Sequence, residues 1–241
     1  MKFGDLNGNG VKDTNENGLF GWEIQLNDGA YTTTTDPSGN YCFTGLGPGT
    51  YTVTEVLQPG WTQTTPPHPP ITLACCQTVT GIDFGNQYTI SIPVSIGWNI
   101  VSVPLTVDDY RKIILFPTAV SNAFAYVGNY VVKDTLENGF GYWLKFGNAQ
   151  NIQLTGLPLI TDTIDVTTGW NLIGSISQTI SAASIQPIGT TIISPLFGYN
   201  NGYFITDSIE PGKGYWVKVS SAGKLVLSST LLVSGKESMS K

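Results

Sequence analysis

Residues Asp5 to Glu16 read D-L-N-G-N-G-V-K-D-T-N-E. A twelve-residue calcium loop draws oxygens from positions 1, 3, 5, 7, 9 and 12 and needs glycine at position 6 for its sharp turn. Counted from Asp5, the oxygen places fall on Asp5, Asn7, Asn9, Val11 (through its carbonyl), Asp13 and Glu16, and the turn falls on Gly10. Asn-Gly pairs alone are ordinary turn chemistry, but turns do not require Asp13 and Glu16 at these offsets. The flanks are not helical. Lys2-Phe3 is too short for an entering helix, and Gly18 and Gly21 spoil an exiting one. The loop therefore predicts Ca2+ as a structural ion inside a β-context, since a sensor needs paired helices to open.

The rest of the chain agrees with β-structure. Among 241 residues only 12 % are charged, while 28 are glycine and 14 proline, a composition of short strands and turns. No apolar run is long enough for a transmembrane helix, and no basic segment followed by an apolar stretch marks a signal peptide. Residues 1–89 carry Lys2 and Lys12 against eight carboxylates, so the whole net charge of −6 lies in that part. The remainder is balanced, and no basic patch invites nucleic acid. The three cysteines are Cys42, Cys75 and Cys76. A bridge from Cys42 to either of the others would close a loop of about 33 residues and add roughly 3–4 kcal/mol on the chain-entropy model. Three reduced thiols are the alternative.

Along residues 1–88, Trp22, Ile24 and Leu26 alternate with polar residues, as in a half-buried strand. Asn27-Asp28-Gly29 and Asp36-Pro37-Ser38-Gly39 read as turns. Tyr41 and Phe43 share one face, as do Tyr51, Val53 and Glu55. Pro66 to Pro70 is an extended connector, and Ile71-Leu73 and Ile82-Phe84 supply the last strands. This spacing suggests a sandwich.

The segments K-F-G-D-L-N-G-N-G-V-K-D, G-L-F-G-W-E-I-Q-L, T-T-D-P-S-G-N-Y-C-F-T-G-L, G-T-Y-T-V-T-E-V and G-I-D-F-G-N resemble, in this order, the SdrD-type B repeats. These belong to the Cna-B-like, transthyretin-like sandwiches of bacterial surface proteins. The resemblance covers about the first 87 residues and implies an extracellular, calcium-stiffened stalk or spacer. It also implies that the calcium ligands are those named above, with Asp36 and Asp83 as weaker candidates for further ion contacts. Some Cna-B relatives instead join a lysine to an asparagine or aspartate with the help of a glutamate. Lys2, Glu55 and Asn86 stand where such residues would sit. With the calcium loop already in the stabilising role, the expectation is a Glu55 that only hydrogen-bonds and a Lys2 in solvent. Family members usually have more residues before Lys2, so the sandwich would carry an open first edge, which invites pairing with another chain.

From residue 89 on, the chain repeats itself. Gly97-Trp98-Asn99-Ile100-Val101 returns as Gly169-Trp170-Asn171-Leu172-Ile173, and Phe124–Phe146 returns as Phe197–Val219 with ten of 23 positions matched. The pattern resembles the G-W-N-L…G-Y-W repeats of secreted bacterial proteins. Units of about 97–168 and 169–233 follow, with short helices expected within Asp108–Leu115 and Ile180–Ile185. In Tyr142-Trp143 and Tyr215-Trp216 neighbouring side chains face opposite ways. The expectation is that these aromatics are core, a carbohydrate platform being the alternative. Lys224–Leu227 and Leu231–Val233 are β-prone. They read as the closing strand of their own domain or as a strand donated to another subunit.

Catalysis is not expected. The one histidine, His68, lies on the proline connector, which is read as stiff and exposed. There is no G-x-S-x-G, P-loop or H-E-x-x-H. The sequence thus predicts an all-β protein: a transthyretin-like sandwich over residues 1–88 and a two-repeat β domain over 89–241. Its expected work is a calcium-stabilised subunit of an extracellular filament, tube or coat, self-assembling through strand pairing. An adhesin or spacer fragment and a carbohydrate-binding module are the alternatives.

Overall fold

The computed structural model describes residues 1–229. The fold is all-β, with a four-residue α-helix at Lys112–Leu115 and a 3-10 turn at Ala182–Ser184 inside the two expected connectors. Two compact units divide between Thr89 and Ile90.

The first unit contains β1 (Lys2–Gly4), β2 (Glu23–Leu26), β3 (Tyr31–Thr34), β4 (Gly49–Tyr51), β5 (Val53–Glu55), β6 (Trp61–Gln63), β7 (Ile71–Leu73) and the start of β8 (Phe84–Val94). The β2–β3 hairpin forms because Asn27, Asp28 and Gly29 all accept positive φ, at 49°, 54° and 89°, which asparagine, aspartate and glycine tolerate best. β2 also pairs with β5, while β4 pairs with β7. β1 pairs in parallel with β8, Lys2 opposite Phe84 and Gly4 opposite Asn86, and β6 pairs with β8 on its other side. Trp22, Ile24, Leu26, Val53 and Phe84 form the core, so the alternation read from Trp22 onward holds. Tyr41 and Phe43 both pack against it, yet Tyr41–Thr44 belongs to no strand.

The second unit shows its repeat as two four-stranded sheets of the same order. One runs Tyr130–Lys133, Ala123–Tyr126, Tyr142–Phe146, Gly97–Val101; the other runs Tyr203–Thr206, Leu196–Tyr199, Tyr215–Val219, Gly169–Ile173. The repeated asparagine explains part of the motif. Asn99 Oδ1 accepts from Ser95 N at 2.9 Å while its Nδ2 donates to Ser95 O at 2.8 Å. Asn171 does the same with Thr167 N at 2.9 Å and Thr167 O at 2.8 Å. Each asparagine clamps the turn that starts its strand. Tyr142 and Tyr215 are buried and accept from the amides of Glu137 and Glu210, both at 2.9 Å.

The tryptophans lie on the opposite face, as the alternation requires. Only the tyrosines are core. Trp143 carries Tyr199 of the other repeat at 4.7 Å, and Trp216 carries Tyr126 at 4.8 Å, so the repeats exchange aromatic contacts reciprocally. Trp98 and Trp170 stay 38 % and 40 % exposed, which corrects the expectation that all these aromatics are core. The segment Gly223–Ser228 is a strand of its own unit, paired with Thr161–Val166 and Gln186–Ile188, with Leu225 and Leu227 buried. Leu231–Val233 lie outside the described residues.

Candidate functional site

The parallel pairing of β1 with β8 decides where Lys2 goes. Gly4 stands opposite Asn86, so Lys2 and Asn86 fall on the same face of adjacent strands. That face looks inward. Glu55 on β5 stands opposite Ile24 on β2 and projects towards them. Lys2 Nζ donates to both Glu55 Oε2 and Asn86 Oδ1. The indole of Trp22 covers the amine, with Nζ 3.9 Å from the ring centroid. Lys2 and Asn86 are 0 % exposed, and the Glu55 side chain 2 %. This overturns the expectation of a solvated lysine. Glu55 does hydrogen-bond, as read, but to a buried amine that also touches a carboxamide.

Burial pushes the Lys2 ammonium down from 10.5 to about 8, with the Glu55 charge and hydrogen bond pulling the other way. Desolvation disfavours the charged form of an amine. A neutral amine is a nucleophile. Two polar atoms of the cluster have no partner, Glu55 Oε1 and Asn86 Nδ2. A buried amino group without an acceptor costs about 1–3 kcal/mol. The arrangement is therefore an amine against an amide carbonyl, a carboxylate beside both, and an amide nitrogen that nothing holds. The resemblance had named all three residues; only Glu55 also carried a signal of its own, an acid on an apolar face. The alignment of Lys2 with Asn86 depends on strand register.

The loop Asp5–Glu16 leaves β1 directly. Asp5 is buried, and its carboxylate accepts from Gly8 N (2.7 Å), Asn9 N (3.2 Å) and Gly10 N (2.7 Å). Glu16 reaches back along the loop, Oε1 accepting from Leu6 N at 2.7 Å and Oε2 from Asp13 N at 2.9 Å. Asn7 and Asn9 both donate their amide nitrogens to Asp13 Oδ2, at 2.9 and 3.0 Å. Asn9 Oδ1 accepts from Val11 N at 2.7 Å. All six predicted positions thus lie on one coiled loop, although among the described residues no three acidic, histidine or cysteine side chains gather on one point. The donor set nonetheless suits a hard cation. Each Glu16 oxygen keeps a free lone pair, and rotating the two asparagine amides would present oxygen instead of nitrogen to Asp13's neighbourhood.

Other candidates lie apart from both sites. Asp36 closes its own turn, accepting from Ser38 N and Asn40 N at 2.9 and 2.8 Å, and those bonds to Asn40 and Ser38 hold its carboxyl below the usual range. Asp83 binds the terminal amine of Met1 at 2.6 Å. His68 is half-buried rather than exposed; its Nε2 meets Asp83 O at 2.7 Å and its ring stands on Phe84. The three thiols are free and exposed, with Cys75 Sγ 3.3 Å from Cys76 Sγ, so no bridge reaches Cys42.

Residues 1–68 match the SdrD B-like domain. A stretch of 65 residues is 45 % identical to serine-aspartate repeat-containing protein C of Staphylococcus aureus, covering 25 % of this chain and 7 % of that protein. A stretch of 64 residues is 42 % identical to serine-aspartate repeat-containing protein F of Staphylococcus epidermidis, covering 25 % of this chain and 4 % of that one. The chain thus spans a small part of these relatives. No solved structure matches it. The family match ends before the repeats of the second unit. Among the described residues no helix is long and apolar enough to cross a membrane.

Proposed function

We propose that the chain is a non-catalytic spacer module of an extracellular surface structure, hardened in its first unit by a covalent bond between Lys2 and Asn86. The reading rests on one observation: a fully buried lysine amine held against both Glu55 and Asn86. The neutral amine attacks Asn86 Cγ. The C–N bond forms as the bond to Nδ2 breaks, and the amine proton passes through Glu55 to the departing nitrogen. Ammonia leaves, an amide remains, and nothing else is consumed. The unpartnered Nδ2 is the atom that departs.

Such a bond ties the first strand of the unit to the last, 84 residues apart. A pull on the two ends of the unit then passes through β1 and β8 without unfolding what lies between. That is what a spacer under load requires, and the matching surface proteins support an extracellular location. Ca2+ in the Asp5–Glu16 loop would fix the turn leaving β1 through its oxygens, acting beside the bond rather than in its place. Peptide mapping tests the bond. A branched peptide joining the Lys2 and Asn86 segments is expected, and two separate linear peptides would refute it.

Assembly of copies by strand pairing is the second reading. One observation favours it: the extended stretch from Tyr41 to Leu46, whose backbone pairs with no other main-chain group among the described residues.

A further inference from the structure

Beside that stretch lies a groove of about 570 Å3, with Tyr41–Leu46 on one wall and Gln77–Ile82 on the other. Tyr41 and Phe43 turn inward and are half-buried, while Cys42 and Thr44 are exposed, the alternation of a strand. The floor is apolar, supplied by Leu26, Val53 and Ile71. The opposite wall repeats the pattern, since Thr78 to Gly81 also pairs with no main-chain group among the described residues. Two segments therefore face one apolar trough with no main-chain partner among the described residues. An extended edge with unpaired N–H and C=O groups is a template for pairing, and an added strand satisfies them while its alternate side chains enter the pocket.

No acidic or basic side chain lines the groove, and the Met1 ammonium at its edge is already paired with Asp83, so an uncharged occupant suits it. This chain contains such a segment. Thr230-Leu231-Leu232-Val233-Ser234 follows the last described strand of the second unit after Ser229 and has no charge. Its five residues in extended form span roughly 17 Å, similar to the reach of the Tyr41–Leu46 wall. In extended form Leu231 and Val233 would share one face and fill the trough. We infer that the groove accepts Thr230–Ser234 of a second copy. The inference rests on the assembly reading and supplies its two surfaces. The contact is head-to-tail, so it does not close on itself and propagates into a linear polymer.

Complementation tests it on the full chain. Leu231→Asp with Val233→Asp spoils the donor. Val79→Lys, at a partly exposed groove residue, spoils the acceptor, and Phe43→Lys is a second acceptor variant should the first fold poorly by melting. By light scattering at high concentration, the wild type is expected to form multimers and each variant to stay monomeric. Mixing a donor variant with an acceptor variant leaves one good tail and one good groove, so dimers and nothing larger should form. A mixture that stays monomeric overturns the inference. Multimers of either variant alone overturn it too, while leaving assembly through another surface intact. A monomeric wild type overturns both the inference and the assembly reading, and if its amides at 41–46 also resist hydrogen exchange, the groove is filled by its own tail.

Discussion

The two units reach stability by opposite routes. One cluster of the second unit alone holds thirteen buried apolar side chains, among them Ile176, Ile209, Val217, Leu225 and Leu227, and Ile100, Val101, Leu144 and Phe146 are buried besides. Its polar motifs serve the fold, as the asparagine clamps and tyrosine acceptors show. The first has five core residues and strands mostly three or four residues long. In place of further apolar packing it buries Lys2, Asp5, Glu16 and Asn86. A small core contributes little after conformational entropy is deducted. The lesson is that the first unit buries charged and polar groups where the second buries apolar area.

That contrast breaks most visibly under force. With Lys2 bonded to Asn86, single-molecule pulling should show no extension from the chain between them, a sequence separation of 84. Glu55→Ala should restore a lengthening on the order of 290 Å. A wild type that extends as far as the variant would dissolve the comparison. In solution the bond should add about 4.5 kcal/mol for a closed loop of 84 residues, on the chain-entropy model. Glu55→Ala should therefore lower the melting transition of the first unit alone, since Lys2, Glu55 and Asn86 all lie within it.

Removing the electrophile instead exposes the lysine's cost. In Asn86→Ala the amine persists, its pKa held near 8 against an ordinary 10.5. Between those values the unfolded chain binds the proton that the folded chain has lost, so stability rises with pH across this window. The slope is at most about 1.4 kcal/mol per pH unit. Denaturant melts at stepped pH would show it, and a flat profile would mean that Lys2 titrates as if in water.

Calcium is expected to matter less. At a free concentration one hundred times the dissociation constant it would contribute roughly 2.7 kcal/mol. EDTA should lower the melting temperature of the first unit, Glu16→Gln should remove that sensitivity, and the second unit should not respond. The smallest effect belongs to the exchanged aromatics. Tyr126→Ala and Tyr199→Ala each lose one ring contact on the opposite repeat, worth about 0.5–1.5 kcal/mol beyond burial. The two losses should be alike and confined to the second unit; a large difference between them would mean the repeats do not share the load.

Much of this architecture was legible beforehand. The Asn27-Asp28-Gly29 turn, the inward Trp22–Leu26 face, the paired repeats and the opposed Tyr-Trp neighbours all follow from local rules that act within a few residues. What was not legible is non-local. Lys2 and Asn86 meet only because β1 lies parallel to β8 in one register, and a shift of one residue would have turned Lys2 to the other face. The same holds for Tyr41 and Phe43. Their alternation announced a strand, but whether a neighbour exists to pair with it is a property of the whole fold. The half-exposed Trp98 and Trp170 were misread because each is met by rings of its own repeat, Phe124 and Trp143 for one and Phe197 and Trp216 for the other, and still keeps part of its surface open.

The central claim is that a covalent bond, formed at a buried lysine, closes the first unit. Intact mass of the denatured chain tests it most directly. The bond predicts a mass about 17 Da below that of the sequence, from the lost ammonia, with the full mass restored in Glu55→Ala. A wild-type chain at full mass, folded and left at pH above 8, would contradict it.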